Sequence, residues 1–559
     1  MYTLETIQNF KGKYPKQLWY LFLVEMWERF TFYGMRALLA LYISHLALSA
    51  DYHQAAAEDI EKAKAAFEAE HGEAITEAHP LYTTITSEQK YKDAAEAKSN
   101  KQYGIIQAFI YAMAFVGGLF ADKLFGFRRS IFWGGVLMAI GTFVMAIPGS
   151  FAFYFGVSIL IVGNGFFKPN ISTMVGALYK EGDPRRDAGF SLFYSGINIG
   201  ALLSGLTIAY IGTAISWSLG FGLAGVCMLI GLAIFVYTQK TLGPIGLAPK
   251  PEKLSTKVAG ISRGWLMQIA TLLFIPVFFL VIYYPVEFDI SALMGEIVNA
   301  DGTTSPYMLQ LVDLIFMVAA VITIIFLIVQ IKSAAKEESG KLLAASILIL
   351  FSVVFWSFFE QGGGSLNFFA LNNVESHGLN MTSVNNSINS FWVVVFAPLI
   401  GIMWIALNKR NLEPNTVVKF GLGFIFLGLG FLVFFASKFM ANEQAFTPLT
   451  IFFIAYLVIT IGELFLSPIG LSMITKLSPK RLHGVMMGTW FLASAYGQYG
   501  AGLIGAAMAQ NDSVENATSF QKLEQYTSGY GNIGWISLGA GVVLILISPL
   551  IKKLMGEVK

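Results

Sequence analysis

The sequence predicts an all-α polytopic membrane protein, and two features of the chain carry that prediction. Its 559 residues are 55% hydrophobic and only 13% charged, whereas soluble domains carry about 25% charged residues. The charges cluster between apolar runs of about 20 residues, which is the length that crosses a bilayer as a helix. Lipid is therefore the main solvent of this chain.

The apolar runs predict about fourteen membrane-spanning helices. They lie near residues 18–47, 102–121, 129–148, 151–178, 187–211, 215–237, 264–284, 306–331, 342–371, 382–407, 416–437, 447–475, 483–508 and 529–551. Lysines and arginines fall in alternate loops, for example at Lys123, Arg128 and Arg129. By the positive-inside rule, both termini are expected on the cytoplasmic side.

The spans divide as six helices, two inserted helices and six helices, a plan typical of two-bundle transporters with a central site. We expect a first bundle at residues 1–238, a linker with two extra spans at 239–340 and a second bundle at 341–559. Residues 48–100 are rich in Ala, Glu and Lys, and they predict a helical hairpin outside the membrane.

Charged side chains occur in the first span, where burial in lipid is costly unless they face a cavity or a partner. They are Glu25, Glu28, Arg29 and Arg36. At about 100° per residue, Arg36 and Arg29 fall roughly 20° and 40° from Glu25, and Glu28 falls roughly 60° to the other side. The four side chains therefore share one face of the helix.

Three further spans each carry an isolated charge, namely Lys168, Glu360 and Glu463. If all these side chains meet in one cavity, four acids face three bases. A proton on one carboxylate is the least costly way to neutralise the excess. Separated acidic and basic groups also suit the two ends of a zwitterionic ligand.

An ordered set of motifs resembles those of the proton-coupled oligopeptide transporter family of the major facilitator superfamily. They are EMWERFTFYG at 25–34, GGLFADKLFGFRR at 117–129, KPN at 168–170, FYSGINIGALLS at 193–204, W-x-x-x-E-Q at 356–361 and G-E-L-x-x-S-P at 462–468. They run in order over nearly the whole chain outside 48–100. The resemblance implies the major facilitator fold, with two six-helix bundles plus the two inserted helices.

The resemblance also implies roles for individual residues. Arg36 and Lys168 are expected to hold a peptide carboxylate with Tyr33 nearby, and Glu360 is expected to receive the amino group. Implied contacts to the peptide backbone and side chains come from Asn198, Asn389, Tyr111, Trp356, Trp490 and Ser494.

The remaining implied roles concern coupling and gating. Glu25, Glu28 and Arg29 are expected to couple transport to protons, together with Glu360. Lys168 is expected to pair with Glu463 as a gate. Phe32 departs from the pattern, because the family usually has a tyrosine there.

On this resemblance we expect a symporter that imports di- and tripeptides with protons by alternating access, in the cytoplasmic (inner) membrane of a bacterium. We expect it to act as a monomer in the lipid bilayer, driven by the proton gradient, with no cofactor, metal or nucleic acid. The alternative is a related transporter of another small solute, such as nitrate, an amino-acid derivative or a peptide-like drug. A membrane enzyme is disfavoured, because the chain has no HExxH or Cys–His pattern.

Overall fold

The computed structural model describes residues 2–50, 64–65, 68, 88–180, 182–183, 185–298, 304–479, 482–509 and 518–556. Within these residues a helix covers most of every predicted span, which confirms the all-α membrane fold. Eleven helices among the described residues are long and apolar enough to cross a membrane. The hairpin expected within 48–100 falls largely outside the described residues.

We number the helices that correspond to the fourteen predicted spans α1–α14 in chain order. They are Lys16–Ala50, Glu88–Phe120, Phe127–Met145, Ser150–Ala177, Arg185–Ser204, Trp217–Thr238, the two pieces Arg263–Thr271 and Phe274–Tyr283 of α7, Leu311–Ser333, the two pieces Lys336–Phe359 and Ser365–Asn373 of α9, Met381–Lys409, Thr416–Ala436, Leu449–Leu477, His483–Ala509 and Ser519–Met555. Helix α5 continues through two π-helical turns at Gly205–Ala209 and Ile211–Ile215.

Side-chain caps set several helix starts, because the first backbone N–H groups of a helix lack intrahelical partners. Asn380 accepts a hydrogen bond from Ser383 N at 2.9 Å at the start of α10. Asn415 accepts one from Val418 N at 3.0 Å at the start of α11. These polar caps lie at the ends of apolar runs, so they mark where each chain segment leaves the membrane.

Three short antiparallel strand pairs lie in the connections around the inserted helices, where the sequence predicted no strand. They are Lys257–Val258 with Ile261–Ser262, Glu287–Asp289 with Met308–Gln310, and Ile297–Val298 with Thr304–Ser305. Met308–Gln310 falls within the span predicted at 306–331, whose helix begins only at Leu311. The other strands lie outside the predicted spans, so the helical membrane fold is intact.

The helices pack as two groups with an inserted pair. In the first group, α1 packs on α2, α5 and α6, and α3 packs on α4 and α6. In the second group, α11 packs on α12 and α14, and α9 packs on α13. The second piece of α7 lies against α4 of the first group, while α8 lies against α9 of the second. We call α1–α6 the first half and α9–α14 the second half.

The two halves make their closest backbone approach where α2 crosses α13. A Cβ added at Gly104 would lie 2.6 Å from the Cα of Gly502, so neither position has room for a side chain. Small residues let membrane helices approach closely and gain dispersion energy along the contact. The second contact between the halves is α5 on α10, where Ser387 Oγ donates to the carbonyl of Leu202 at 3.3 Å.

We call the membrane end nearest residues 48–100 the insertion side, and the opposite end the basic-loop side. On the insertion side, an ion pair joins Asp93 of α2 to Lys522 of α14. One turn further along α2, the buried Glu96 accepts from Tyr526 Oη at 2.8 Å and from Asn372 Nδ2 at 3.0 Å. These five residues form the insertion-side latch, which ties the first half to two helices of the second.

Candidate functional site

The acidic motif of α1 folds into a compact buried cluster. Arg29 Nε lies 3.1 Å from Glu25 Oε1 and 2.5 Å from Glu28 Oε2, and Arg29 Nη2 donates to Glu28 Oε1 at 2.9 Å. All three residues are at most 2% exposed. Asn164 of α4 donates a further bond to Glu28 Oε1 at 3.3 Å. One arginine thus serves two carboxylates, so this cluster by itself carries one excess negative charge when both carboxylates are ionised.

Two turns further along α1, Arg36 forms an ion pair with Glu360 of α9. The Nε of the same guanidinium donates to the hydroxyl of Tyr103 on α2 at 2.6 Å. Glu360 is 5% exposed. The pair therefore connects the two halves in the membrane interior, where a charge without a partner is strongly disfavoured.

A break in α9 presents Glu360 to Arg36. The helix stops at Phe359, passes through a 3-10 turn at Glu360–Gly363 and resumes at Ser365. The glycines of this turn are needed for close approach, because a Cβ on Gly363 would meet the hydroxyl of Tyr103 and would lie 3.1 Å from Arg36 Nη2. The sequence predicted one unbroken span at 342–371. The three consecutive glycines at 362–364 favour a break, and they are the sequence feature from which it could have been predicted.

Lys168 on α4 lies over an aromatic ring. Its Nζ is 3.8 Å from the ring centroid of Tyr111 and 5.9 Å from that of Phe32. A cation over a desolvated ring gains roughly 2 kcal/mol or more. A ring face supplies no anion, so this contact leaves the charge of the ammonium without a negative counterpart.

Glu463 on α12 accepts from Asn389 Nδ2 on α10 at 3.0 Å, and Asn389 also donates to Thr460 Oγ1 at 3.1 Å. The expected Lys168–Glu463 ion pair is not formed in this structure. Among the described ion pairs, neither residue has a partner of opposite charge within 4.0 Å. Each side chain is instead held within its own half, Lys168 by Tyr111 and Glu463 by Asn389.

The other predicted contact residues line the interior of their halves. Asn198 is 7% exposed and donates to the carbonyl of Tyr194 in its own helix at 3.1 Å. Trp356 is half-buried and packs against Gly497 of α13, and its buried indole Nε1 has no hydrogen-bond partner among the described residues. Trp490 is 8% exposed and packs on Gly470 of α12.

The last two predicted residues flank these groups. Ser494 Oγ donates to the carbonyl of Trp490 one turn earlier at 3.4 Å, so the two share a helix face as expected. The ring of Tyr33 stands edge-on to that of Phe32, with centroids 5.4 Å apart, and lies 5.9 Å from the Arg36 guanidinium.

The sequence reasoning missed Tyr103 and Asn385. Tyr103 lies eight residues before Tyr111 on α2, so helical spacing could have placed both on one face. Asn385 accepts from Tyr456 Oη at 2.6 Å and donates to the carbonyl of Gly362 at 2.8 Å. It therefore supports the turn that carries Glu360. In the described part of the chain, no cluster of three His, Cys, Asp or Glu side chains could hold a metal ion.

Comparison with known proteins gives the family. The sequence profile of the POT family matches residues 128–526, more than half of the chain. The chain is 34% identical to the uncharacterized transporter YclF of Bacillus subtilis over 97% of its length and 95% of that protein. It is 31% identical to the peptide transporter YePEPT of Yersinia enterocolitica, over 97% of this chain and 96% of that one.

Solved structures give the same result. A crystal structure of the peptide transporter POT in complex with sulfate superposes with a TM-score of 0.71 at 28% identity, over 99% of this chain and 100% of that one. A POT family transporter in complex with 5-aminolevulinic acid gives the same TM-score at 25% identity, covering 98% and 99%. The predicted major facilitator fold is thereby confirmed, and the protein is a transporter rather than an enzyme. The chain belongs to the POT family, the proton-coupled oligopeptide transporters of the major facilitator superfamily.

Proposed function

We propose that this chain imports di- and tripeptides together with protons by alternating access. The observation that carries the proposal is the ion pair between Arg36 and Glu360. It places a permanent cation and a carboxylate opposite each other, one from each half, in the membrane interior. A zwitterionic peptide carries the matching charges at its two ends, so it can replace the ion pair without leaving a buried charge unpaired.

The peptide carboxylate is assigned to Arg36 and Lys168. Both cations come from the first half, and each already lies against a tyrosine of α2. The amino group is assigned to Glu360 of the second half. A bound peptide therefore spans the interface between the halves, and its binding affinity depends on how far apart they stand.

The remaining substrate contacts follow the positions described above. Asn198 and Asn389 contribute amide groups to the peptide backbone from opposite halves. The peptide side chains are assigned to pockets lined by Tyr33, Tyr111, Trp356, Trp490 and Ser494. The unpartnered indole N–H of Trp356 supports this assignment, because a buried donor without a partner is costly unless a ligand or water completes it.

Proton coupling is assigned to Glu25 and Glu28, with Arg29 between them and Glu360 as the link to substrate. Two carboxylates share one guanidinium, so protonation of either acid removes the excess charge and leaves the other fully paired. A change in the partner of Arg29 then alters how α1 sits against its neighbours. That difference couples proton binding to the movement of the halves.

The gate is assigned to Lys168 and Glu463. In the described arrangement each is held within its own half, and we propose that they pair when the basic-loop side closes. The parts that move relative to each other are a first bundle at 1–238 and a second bundle at 341–559. A linker with two spans at 239–340 joins them. The protein is proposed to act as a monomer without a cofactor.

We place the protein in the bacterial inner membrane with both termini in the cytoplasm. A single cysteine at Gln444, on the insertion side, is expected to react with an impermeant thiol reagent in cells whose outer membrane is permeabilised. A single cysteine at Ala335, on the basic-loop side, is expected to remain unreacted until the cells are lysed. Both variants also carry Cys227→Ser. The reverse pattern would refute the orientation.

The decisive experiment measures uptake of a radiolabelled dipeptide into proteoliposomes with and without an inward proton gradient. Concentration of the peptide above the external level is expected only with the gradient, and collapse of the gradient by an uncoupler is expected to abolish it. The matched control is Glu360→Gln, which neutralises the proposed amine site. Uptake that ignores the gradient would remove proton coupling from the proposal.

A smaller zwitterion is the second candidate substrate, since one structural neighbour was solved with 5-aminolevulinic acid. Arg36 and Glu360 are in direct contact, so a short molecule with both charges could also replace their ion pair. Competition separates the candidates. Inhibition of dipeptide uptake by di- and tripeptides but not by single amino acids or 5-aminolevulinic acid favours peptides as the substrate.

A further inference from the structure

Gln107 of α2 is a fully buried side chain that takes no part in the site described so far. Its relative exposure is 0%, and neither Oε1 nor Nε2 has a hydrogen-bond partner among the described residues. An amide left without partners in a buried place destabilises the fold, so such a group indicates that a ligand or water completes it. No other buried glutamine in the described residues lacks partners for both polar atoms.

Its place on α2 lies between the two cations. Tyr103, four residues earlier, binds Arg36, and Tyr111, four residues later, lies under Lys168. Residues four apart share one face of a helix. Gln107 therefore stands midway along the edge that carries both side chains assigned to the peptide carboxylate.

Its direction follows from the neighbours of α2. Tyr103 marks the direction towards α1, and Gly104 marks the direction towards α13 of the second half. At about 100° per residue, Gln107 points about 40° from Tyr103 and about 60° from Gly104, on the arc between them. The amide is thus directed at the interface between the halves rather than at lipid.

The chemistry of the group identifies what it can bind. A primary amide presents one acceptor and two donors, and here all are unused. The C-terminal residue of an extended peptide presents its N–H and a carboxylate oxygen on the same side of the backbone. Oε1 can accept the N–H while Nε2 donates to the oxygen, and both bonds form beside Arg36 and Lys168.

We propose that Gln107 is a specificity-determining residue that binds the last peptide bond of the substrate and thereby distinguishes a peptide from its ester analogue. This inference rests on the proposed function. An ester replaces the N–H by an oxygen, which offers no donor and places lone pairs against Oε1. A site built to hydrogen-bond a group rejects an analogue that lacks it.

The test compares alanyl-alanine with alanyl-lactate, which differ only in N–H against O. Each competes with a radiolabelled dipeptide for binding to purified wild type, Gln107→Met and Gln107→Leu. We expect the wild type to prefer the peptide by about tenfold, in line with a net hydrogen bond plus repulsion. In both variants the preference is expected to fall to about twofold or less. A merely structural role would weaken both ligands equally and leave the ratio unchanged.

Gln102→Met is the matched control. Gln102 lies on the same helix, about 140° away from Gln107 at 100° per residue, and already accepts a hydrogen bond from Tyr154. Its variant is expected to keep the wild-type ratio. An unchanged ratio in both Gln107 variants, or no preference in the wild type, would overturn the inference while leaving peptide transport intact. Failure of the wild type to bind either ligand would instead refute the proposed function.

Discussion

Arg36 of α1 and Glu360 of α9 form an ion pair across the two halves, so the groups assigned to opposite ends of a peptide neutralise each other when no peptide is bound. A substrate therefore exchanges one set of ionic contacts for another. The free energy of binding depends on the difference between the two sets, and the loss of either residue affects folding as well as binding.

The first prediction separates these two effects. Arg36→Gln or Glu360→Gln leaves a buried charge without its partner, which costs about 3–5 kcal/mol in comparable pairs. The double variant removes both charges and is expected to melt at a higher temperature than either single variant, as measured in detergent. Peptide binding is expected to be lost in all three.

A surface ion pair provides the control for that cycle. Lys341 and Glu337 are four residues apart on α9, and Glu337 is mostly exposed. Lys341→Gln is expected to change the melting temperature little. If the melting temperature of the double variant fell by the sum of the two single-variant decreases, a direct interaction between Arg36 and Glu360 would be contradicted.

The second prediction concerns the peptide carboxylate. Charge-assisted hydrogen bonds contribute about 1.5–3 kcal/mol in net terms, so Arg36→Ala or Lys168→Ala is expected to weaken dipeptide binding at least tenfold. A C-terminally amidated dipeptide is expected to bind the wild type poorly and to lose less in each variant. Equal losses for the free and amidated ligands in binding titrations would rule out a carboxylate contact.

The third prediction concerns proton coupling. Glu25→Gln or Glu28→Gln fixes one acid in its neutral form, so uptake against a peptide gradient is expected to disappear in proteoliposomes. Exchange of labelled for unlabelled peptide without a gradient needs only peptide binding and movement of the two halves, and it is expected to survive in part. Glu360→Gln is expected to abolish both. Concentrative uptake by the Glu25 or Glu28 variant would show that the cluster does not couple.

The fourth prediction concerns the insertion-side latch. Lys522→Ala removes the ion pair between Asp93 and Lys522 and favours separation of the halves on that side. Loss of 1–2 kcal/mol changes a two-state ratio by about 5–30-fold. Spin labels at Ala214 and Gln444, one on each half, are expected to show an additional population with a longer label-to-label distance in pulsed electron paramagnetic resonance.

Lys438→Ala is the matched control for the latch. Lys438 pairs with Glu524 of α14, and both residues belong to the second half. Removal of that pair does not act between the halves, so the label distances are expected to remain as in the wild type. The same shift in both variants would mean that the latch residues act through general destabilisation.

Sequence reasoning predicted the helices because length and hydropathy fix them locally. The charged face of α1 was also predictable, since periodicity places Glu25, Arg29 and Arg36 together, and the structure forms the Glu25–Arg29 contact. The partner of Arg36 could not be derived in this way. The glycines give a local signal for the break in α9, but only the packing of α1, α2 and α9 against each other brings Glu360 and Tyr103 to Arg36.

The insertion-side latch could not be predicted from the sequence for the same reason. Asn372, Lys522 and Tyr526 lie on helices far from α2 in the chain, and only tertiary packing brings them to Asp93 and Glu96. The Lys168–Glu463 pair stays a prediction. An ion pair that acts as a gate forms in only one arrangement of the two halves, and this structure has an arrangement in which the pair is not formed.

The crossing of α2 and α13 at Gly104 and Gly502 divides α2 into two segments of unequal length. From that contact, α2 extends eleven residues to Asp93 and sixteen to Phe120, or about 17 Å and 24 Å at 1.5 Å per residue. A rotation about this fulcrum that parts the insertion side by a given distance displaces the basic-loop side by about 1.5 times as much. A small displacement allowed near Asp93 therefore corresponds to a wider sweep at the far end of α2.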